Sequence, residues 1–577
     1  MSRHLAPKLH LWLAATLTLI GLGLDGRVAM SQSAKLVANS ATGRPSSRVT
    51  VSDQATVADS ILVCPEVWMD TLQPWLQLRH RQGHRFFHIK TVQSARSLRE
   101  QIIGLTKQKP IKYVVLVGDT KPRGPVLHDP PHHFIPAFYV AAKVNVLFGS
   151  EPEIPTDHPY GDLDSNGGPE LAVGRISVSN AEQLATVVEK IVAYENAPRR
   201  GLWQRRVHFV AGMGGFGRVK DAVIEAAAKK FVTDGVPPSH RATMTYASWQ
   251  SPYCPDPRAL RTTVLDSLNQ GSLFWVYMGH GHPYRLDRFK VGEEGYMPIL
   301  ESEDVQRLNC VAGNPIAVIM ACYTGAFDQD TCLAEALLRQ EHGPVAVLAG
   351  SRVTMPYGMA AMGSGLLEAY FSSQPKTLGD MIVQAEQAML REGLEVSKDR
   401  RVVDSMATLF QKRTHELSDE RREHVLLFNL LGDPLLRPIH PREVQVDIPQ
   451  RIQAGQSLTV QIKTPVTGWV AVELVCPRDR FTFTPDRRSS KDTTSEDWKA
   501  MTEVHRRAND KRWAARQLQT TSNEMTVRMT VPEIAHGPAY VRVFVQGRLD
   551  FAVGSKKTYI RRIVSDEGGP KRRTAAK

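Results

Sequence analysis

Cysteine is scarce in this chain. Cys64, Cys254, Cys310, Cys322, Cys332 and Cys476 are scattered through 577 positions, too thinly for a disulfide scaffold, and no CxxC spacing marks a zinc site. Long apolar runs are scarcer still. Only Leu11–Leu24 approaches one, and it is short for a bilayer span. Also missing is any basic module interleaved with aromatics. The net charge is +13, from 72 basic and 59 acidic residues, but part of that excess sits in the tail at Lys571, Arg572, Arg573 and Lys577. A nucleic-acid partner is therefore not expected, and the charge reads as a solvated surface. What remains is an ordinary globular composition, too long for one core and suited to roughly three or four domains.

The N-terminus has the layout of a secretory signal. Arg3, His4, Lys8 and His10 precede Leu11–Leu24, and Ala29 and Ser31 follow at signal-peptidase spacing, which predicts cleavage before Gln32. The expected location is secreted, periplasmic or at the cell surface, with no stable membrane insertion after cleavage. A free thiol in such a compartment is unusual unless it is used. Residues 32–57 read as a flexible leader. From 58 to 200, strands at Ser60–Pro65, Phe86–Thr91 and Ile111–Asp119 alternate with helices at Asp70–Gln82 and Ala95–Lys107, the pattern of βαβ units and a parallel sheet. A second α/β subdomain is predicted over 201–441, with helices that include 220–232 and 402–417. Period-two alternation over 442–563 predicts a β-sandwich, interrupted by a charged helical insert at 495–517. The basic tail, 564–577, reads as disordered.

Two apolar runs end in reactive side chains: Trp275–Met278 leads through Gly279 to His280, and Ala317–Ala321 leads to Cys322. In an open α/β sheet ligands bind beyond the carboxyl ends of strands. If the two strands are neighbours, an imidazole and a thiol meet at one edge, the minimum for a cysteine nucleophile. Gly281 and Gly325 would let a substrate backbone come close and free amide groups for an oxyanion. The residues alone leave two readings open, this one and a buried cysteine unrelated to a hydrogen-bonded histidine.

The surrounding motifs carry a resemblance. Ile61–Pro65, Tyr113–Asp119, Val173–Arg175, Tyr277–Gly281, Cys332–Leu337 and Gly432–Pro434 resemble, in the same order, the gingipain family of clan CD cysteine peptidases, over roughly residues 58–440. The resemblance implies a caspase/gingipain-like parallel-sheet catalytic region in two subdomains, followed by an immunoglobulin-like β-sandwich. It implies a secreted cysteine endopeptidase acting on protein or peptide substrates, with no cofactor required for the chemistry. Cys322 would attack the scissile carbonyl, His280 would protonate the leaving amine, and the N–H groups of Gly281 and Cys322 would hold the oxyanion. The family's acidic residue ahead of Gly-Arg matches Glu170 here, expected to orient His280. His282 and Tyr323 are expected beside the substrate. The stretch Ile176–Ala181 carries no carboxylate before Glu182, so a preference for basic side chains is not implied. The other reading of the resemblance is an inactive secreted binding or assembly protein that keeps the fold, with Cys322 blocked or disulfide-bonded.

Three further motifs need weighing. Asp162, Asp164 and Asn166, followed by Gly167, resemble the first half of a calcium loop. Glu170 stands close behind, and it cannot easily serve both this loop and His280. Gly212, Gly214 and Gly217 fit a dinucleotide fingerprint, but the next strand ends without the ribose-binding carboxylate, so they read as a loop near the substrate. His128, His132 and His133 lack metal-site spacing and read as surface histidines.

Overall fold

The computed structural model describes residues 49, 58–90, 92, 94–123, 133–196, 201–214, 234–291, 295–410, 415–486 and 495–562. The expected signal segment, the leader apart from Val49, helix 220–232, His128, His132, Gly215–Gly217 and the basic tail lie outside these residues.

The centre is one ten-stranded sheet. Its strands in chain order are β1 (Ser60–Val63), β2 (Phe86–Ile89), β3 (Tyr113–Val117), β4 (Ala172–Ile176), β5 (Arg206–Ala211), β6 (Arg241–Tyr246), β7 (Phe274–Met278), β8 (Ile316–Met320), β9 (Ala346–Gly350) and β10 (Phe428–Leu431). Their spatial order is β2-β1-β3-β4-β10-β9-β8-β7-β5-β6. Every residue of β1, β3, β7, β8, β9 and β10 is buried. Burial on both faces is why these strands read as unbroken apolar runs rather than as alternation.

All neighbouring strands are parallel except β9 and β10, which run antiparallel. The sheet is therefore two parallel five-stranded halves of opposite direction. The last strand, β10, crosses over to pair with β4, so the boundary expected near residue 200 falls within one continuous sheet. As a consequence, the carboxyl ends of β5–β9 share an edge with the amino ends of β1–β4 and β10. The helix expected over 402–417 is replaced by Lys398–Phe410 and a separate helix, Leu417–Leu427, that leads straight into β10. Among the described residues, no helix is long and apolar enough to cross a membrane.

Residues 442–561 form two further sheets, of six and three strands, around their own apolar core. Here the insert expected to be helical over 495–517 is only partly so. Ser495–Ala508 is a helix, but Arg512–Thr520 is an edge strand paired antiparallel with Gly468–Val475. The reason is local. Asp510 accepts from the Arg512 N–H at 3.2 Å and from its guanidinium at 2.7 Å, turning the chain, while Trp513 and Leu518 pack against the sandwich core. A mostly exposed edge strand shows too weak an alternation to be read as one. The outer face of this sheet packs on the ten-stranded α/β region through Phe544 and Phe551 against Leu202 and Ile439. Buried Glu473 binds Arg542 at 2.6 Å and Arg205 at 3.2 Å across that face.

Candidate active site

The register of β7 and β8 sets the site. Met278 lies opposite Met320 in the parallel ladder, so Gly279-His280 and Ala321-Cys322 leave the sheet side by side at one edge. Gly281 is pressed onto the backbone of Cys322. A Cβ there would stand 2.5 Å from the Cys322 carbonyl oxygen and 2.7 Å from the Ala321 methyl, so only glycine fits this approach.

Cys322 is half-buried, whereas the other five cysteines are buried; all six are free thiols. The loop after β9 covers the sulfur. The Thr354 N–H donates to Sγ at 3.3 Å, and the Thr354 carbonyl and hydroxyl oxygens lie at 3.6 Å. Burial pushes the thiol above its ordinary range, and the Thr354 contacts bring it only part of the way back. A thiolate here needs a nearby positive charge. Tyr323, next in the chain, has φ +60°, a left-handed conformation that is strained for an aromatic residue. Its N–H donates to the Arg352 carbonyl at 3.2 Å, and its hydroxyl donates to Glu151 at 2.8 Å. Glu151 in turn lies 3.4 Å from Arg352, which pairs with buried Asp328 at 2.6 Å. The segment through Asp328 is thus part of an ion-pair network beside Cys322.

His280 is held at two points. Its carbonyl accepts from the Tyr277 hydroxyl at 2.8 Å, and its Nε2 lies 3.1 Å from the Gly214 carbonyl, where Nε2 is the donor. The glycine loop after β5 therefore does meet this site, at Gly214. His282 is exposed on the short hairpin of Gly281–His282 with Arg285–Leu286, and its Nδ1 accepts from the Tyr284 N–H at 3.4 Å. Burial and the Arg285 charge lower its pKa.

Glu170 is not brought to His280. It precedes β4, four strands from β7 in the sheet order, a span of roughly 19 Å at about 4.8 Å per strand. It belongs instead to the acidic loop. One Glu170 oxygen accepts from the Leu163 N–H at 2.7 Å, and carboxylate oxygens of Asp162, Asp164 and Glu170 lie within 4.8 Å of one another. Burial raises the Glu170 carboxyl, the Leu163 N–H opposes this, and the charges of Asp164 and Asp162 raise it further. Asp162 is buried, and its Oδ1 has no hydrogen-bond partner among the described residues. Asn166 turns its Oδ1 onto the Gly168 N–H at 2.7 Å.

The carboxylate whose charge interacts with His280 is Asp287, which sequence reasoning passed over. No spacing rule links it to a histidine seven positions earlier. The hairpin reverses the chain and returns it to the site. His133 packs its ring edge against Trp68, with centroids 5.5 Å apart.

Residues 53–439, well over half of the chain, match the model of peptidase family C25. No curated protein sequence matches the chain. Among solved structures, the complex of Porphyromonas gingivalis RgpB pro- and mature domains is similar over 87% of this chain and 100% of that one, at 16% identity and a TM-score of 0.48. The Arg specific cysteine proteinase gingipain R (RgpB) is similar over 89% of this chain and 100% of that one, at 17% identity and a TM-score of 0.47.

Proposed function

The chain belongs to peptidase family C25, the gingipain family, and from that premise we propose that it is an exported cysteine endopeptidase using Cys322 and His280. The observation that carries this reading is the in-register pairing of Met278 with Met320, which delivers imidazole and thiol to one sheet edge. Cys322 Sγ attacks the scissile carbonyl after losing its proton toward His280. The resulting imidazolium protonates the leaving amine, and water then releases the acyl group. The N–H groups of Cys322 and Gly281, at the same sheet edge, are the donors offered to the oxyanion. Tyr323 and His282 flank this point as substrate contacts. Export rests on the charged and apolar pattern through Leu24, and a mature protein beginning at Gln32 would support it. The sandwich after residue 442 reads as the immunoglobulin-like domain of this architecture.

The Asp162 loop reads as a structural calcium site, with Glu170 at its ninth position rather than in catalysis. The donors fit a hard cation, since three carboxylates converge and one buried oxygen lacks a partner. Bound there, calcium would neutralise the mutual repulsion of these carboxylates.

The test of the peptidase reading is direct. Native protein is treated with a peptidyl electrophile, and casein hydrolysis is followed in reductant with calcium. Labelling at Cys322 that is lost in His280→Ala, together with cleavage lost in Cys322→Ala, is expected. Native protein that neither labels at Cys322 nor cuts casein would overturn the reading.

A further inference from the structure

The peptidase reading leaves His280 without a named electrostatic partner, because Glu170 stands at another part of the sheet edge. The structure supplies a different acid by a route that the chain order does not suggest. Leu286 leaves the short hairpin, and Asp287 follows it back toward the end of β7. Three contacts fix this residue. Its Oδ2 accepts from the Met213 N–H at 2.8 Å, its Oδ1 accepts from the Arg288 N–H at 2.8 Å, and its own N–H donates to the Tyr277 hydroxyl at 3.2 Å.

Two of these contacts also lead to His280. The same Tyr277 hydroxyl donates to the His280 carbonyl at 2.8 Å, and the residue after Met213 presents the Gly214 carbonyl to His280 Nε2 at 3.1 Å. Asp287 and His280 thus grip the Met213-Gly214 dipeptide from two sides, with Tyr277 closing the ring beneath them. Gly212 is the space that permits this. A Cβ there would stand 2.8 Å from both Asp287 Oδ2 and the Tyr277 oxygen.

We infer that Asp287, locked by Met213 and Tyr277, is the positioning residue that orients His280 and stabilises its protonated form; this rests on the peptidase reading above. The charge argument agrees with the geometry. Burial raises the Asp287 carboxyl, while the Met213 N–H, the His280 charge and the Arg288 N–H oppose it. Other titratable groups close to this corner are Tyr277 on β7 and Cys322 at the end of β8. Arg285 acts on His282 instead. The Gly214 carbonyl supplies an acceptor but no charge, so the charge that favours imidazolium comes from Asp287. No step passes a proton to Asp287. The proton moves from Cys322 to His280 and on to the leaving amine.

The experiment uses the full chain and two readouts, kcat/KM against pH on a cleaved peptide and the rate of Cys322 alkylation by iodoacetamide against pH. In Asp287→Asn, both rates near neutral pH are expected to fall roughly tenfold to a hundredfold, as a misoriented base with no facing charge would give. The alkaline limb moves to lower pH. Asp287→Glu recovers most of the rate and returns the limb toward its original position. Tyr277→Phe keeps the ring and moves the limb in the same direction by less. An alkaline limb unmoved in Asp287→Asn, with wild-type cleavage intact, overturns the role of Asp287 alone. Wild-type protein that cuts nothing overturns the peptidase reading, and the alkylation profile then still decides whether Asp287 acts on His280.

Discussion

Thr354 holds the sulfur of Cys322 from one side, donating its N–H at 3.3 Å and placing its hydroxyl oxygen at 3.6 Å. The thiol is therefore seated under the loop after β9, not free at the edge. Burial raises the thiol and Thr354, through its N–H and then its hydroxyl, opposes that rise.

Thr354→Val keeps the backbone donor and removes the hydroxyl at nearly constant volume. The thiol pKa is expected to rise further, so alkylation of Cys322 near neutral pH slows by roughly threefold to tenfold. The inflection of its pH profile moves upward. An unchanged profile would show that the backbone N–H alone sets the thiol.

The calcium loop makes a separate claim, on stability. Calcium should raise Tm relative to chelator, because a ligand that binds only the folded state stabilises it by mass action. In Asp162→Asn the difference between calcium and chelator should shrink or vanish. Hydrolysis by the calcium-free protein at low temperature should persist, since the loop stands several strands from Cys322. Equal Tm in calcium and chelator would remove the site.

What was legible beforehand follows from physical range. Strands such as Phe274–Met278 and Ile316–Met320 declare themselves because burial on both faces demands continuous apolar sequence. His280 and Cys322 were visible because each ends such a run. The reversal between β9 and β10 was not visible, because pairing partners about eighty residues apart leave no local mark. Glu170 was drawn into catalysis by its place before Gly174-Arg175, although sheet order keeps it four strands from His280. Asp287 escaped notice for the converse reason. Its nearness depends on a hairpin so short that its strands carry only two residues each.

Glu473 joins the β-sandwich to the catalytic region. Burial alone would raise its carboxyl, but Arg542, Arg205 and Arg512 together bring it down to about 2. A depressed folded pKa stabilises above the unfolded value, about 4.5, and that contribution is lost as pH falls through about 2. Glu473→Gln also leaves the buried guanidinium groups of Arg205 and Arg542 without their anion, a change that costs on the order of 3–5 kcal/mol. Urea unfolding at pH 7 should therefore show a large loss. The gap from wild type should narrow between pH 4.5 and pH 2. A gap independent of pH would mean that packing, not charge, holds this face.

His158 and Glu386 make the opposite pH prediction inside the catalytic region. Their nearest atoms, Nδ1 and Oε2, are 3.8 Å apart, close enough for an ion pair. Burial nevertheless takes both toward neutrality, His158 down to about 4 and Glu386 up to about 8. We favour the neutral pair, because both side chains are buried and His158 Nε2 has no partner among the described residues. For Glu386 the raised folded pKa gives a contribution that is present below about 4.5 and lost as pH rises through about 8. For His158 the lowered value gives a contribution that is present above about 6.5 and lost as pH falls through about 4. Glu386→Gln retains a polar group that cannot ionise. Its Tm should therefore fall less than that of wild type between pH 7 and pH 9, and the two curves should converge toward pH 5. Parallel curves across that range would show that Glu386 is already ionised at neutral pH and pairs with a charged His158.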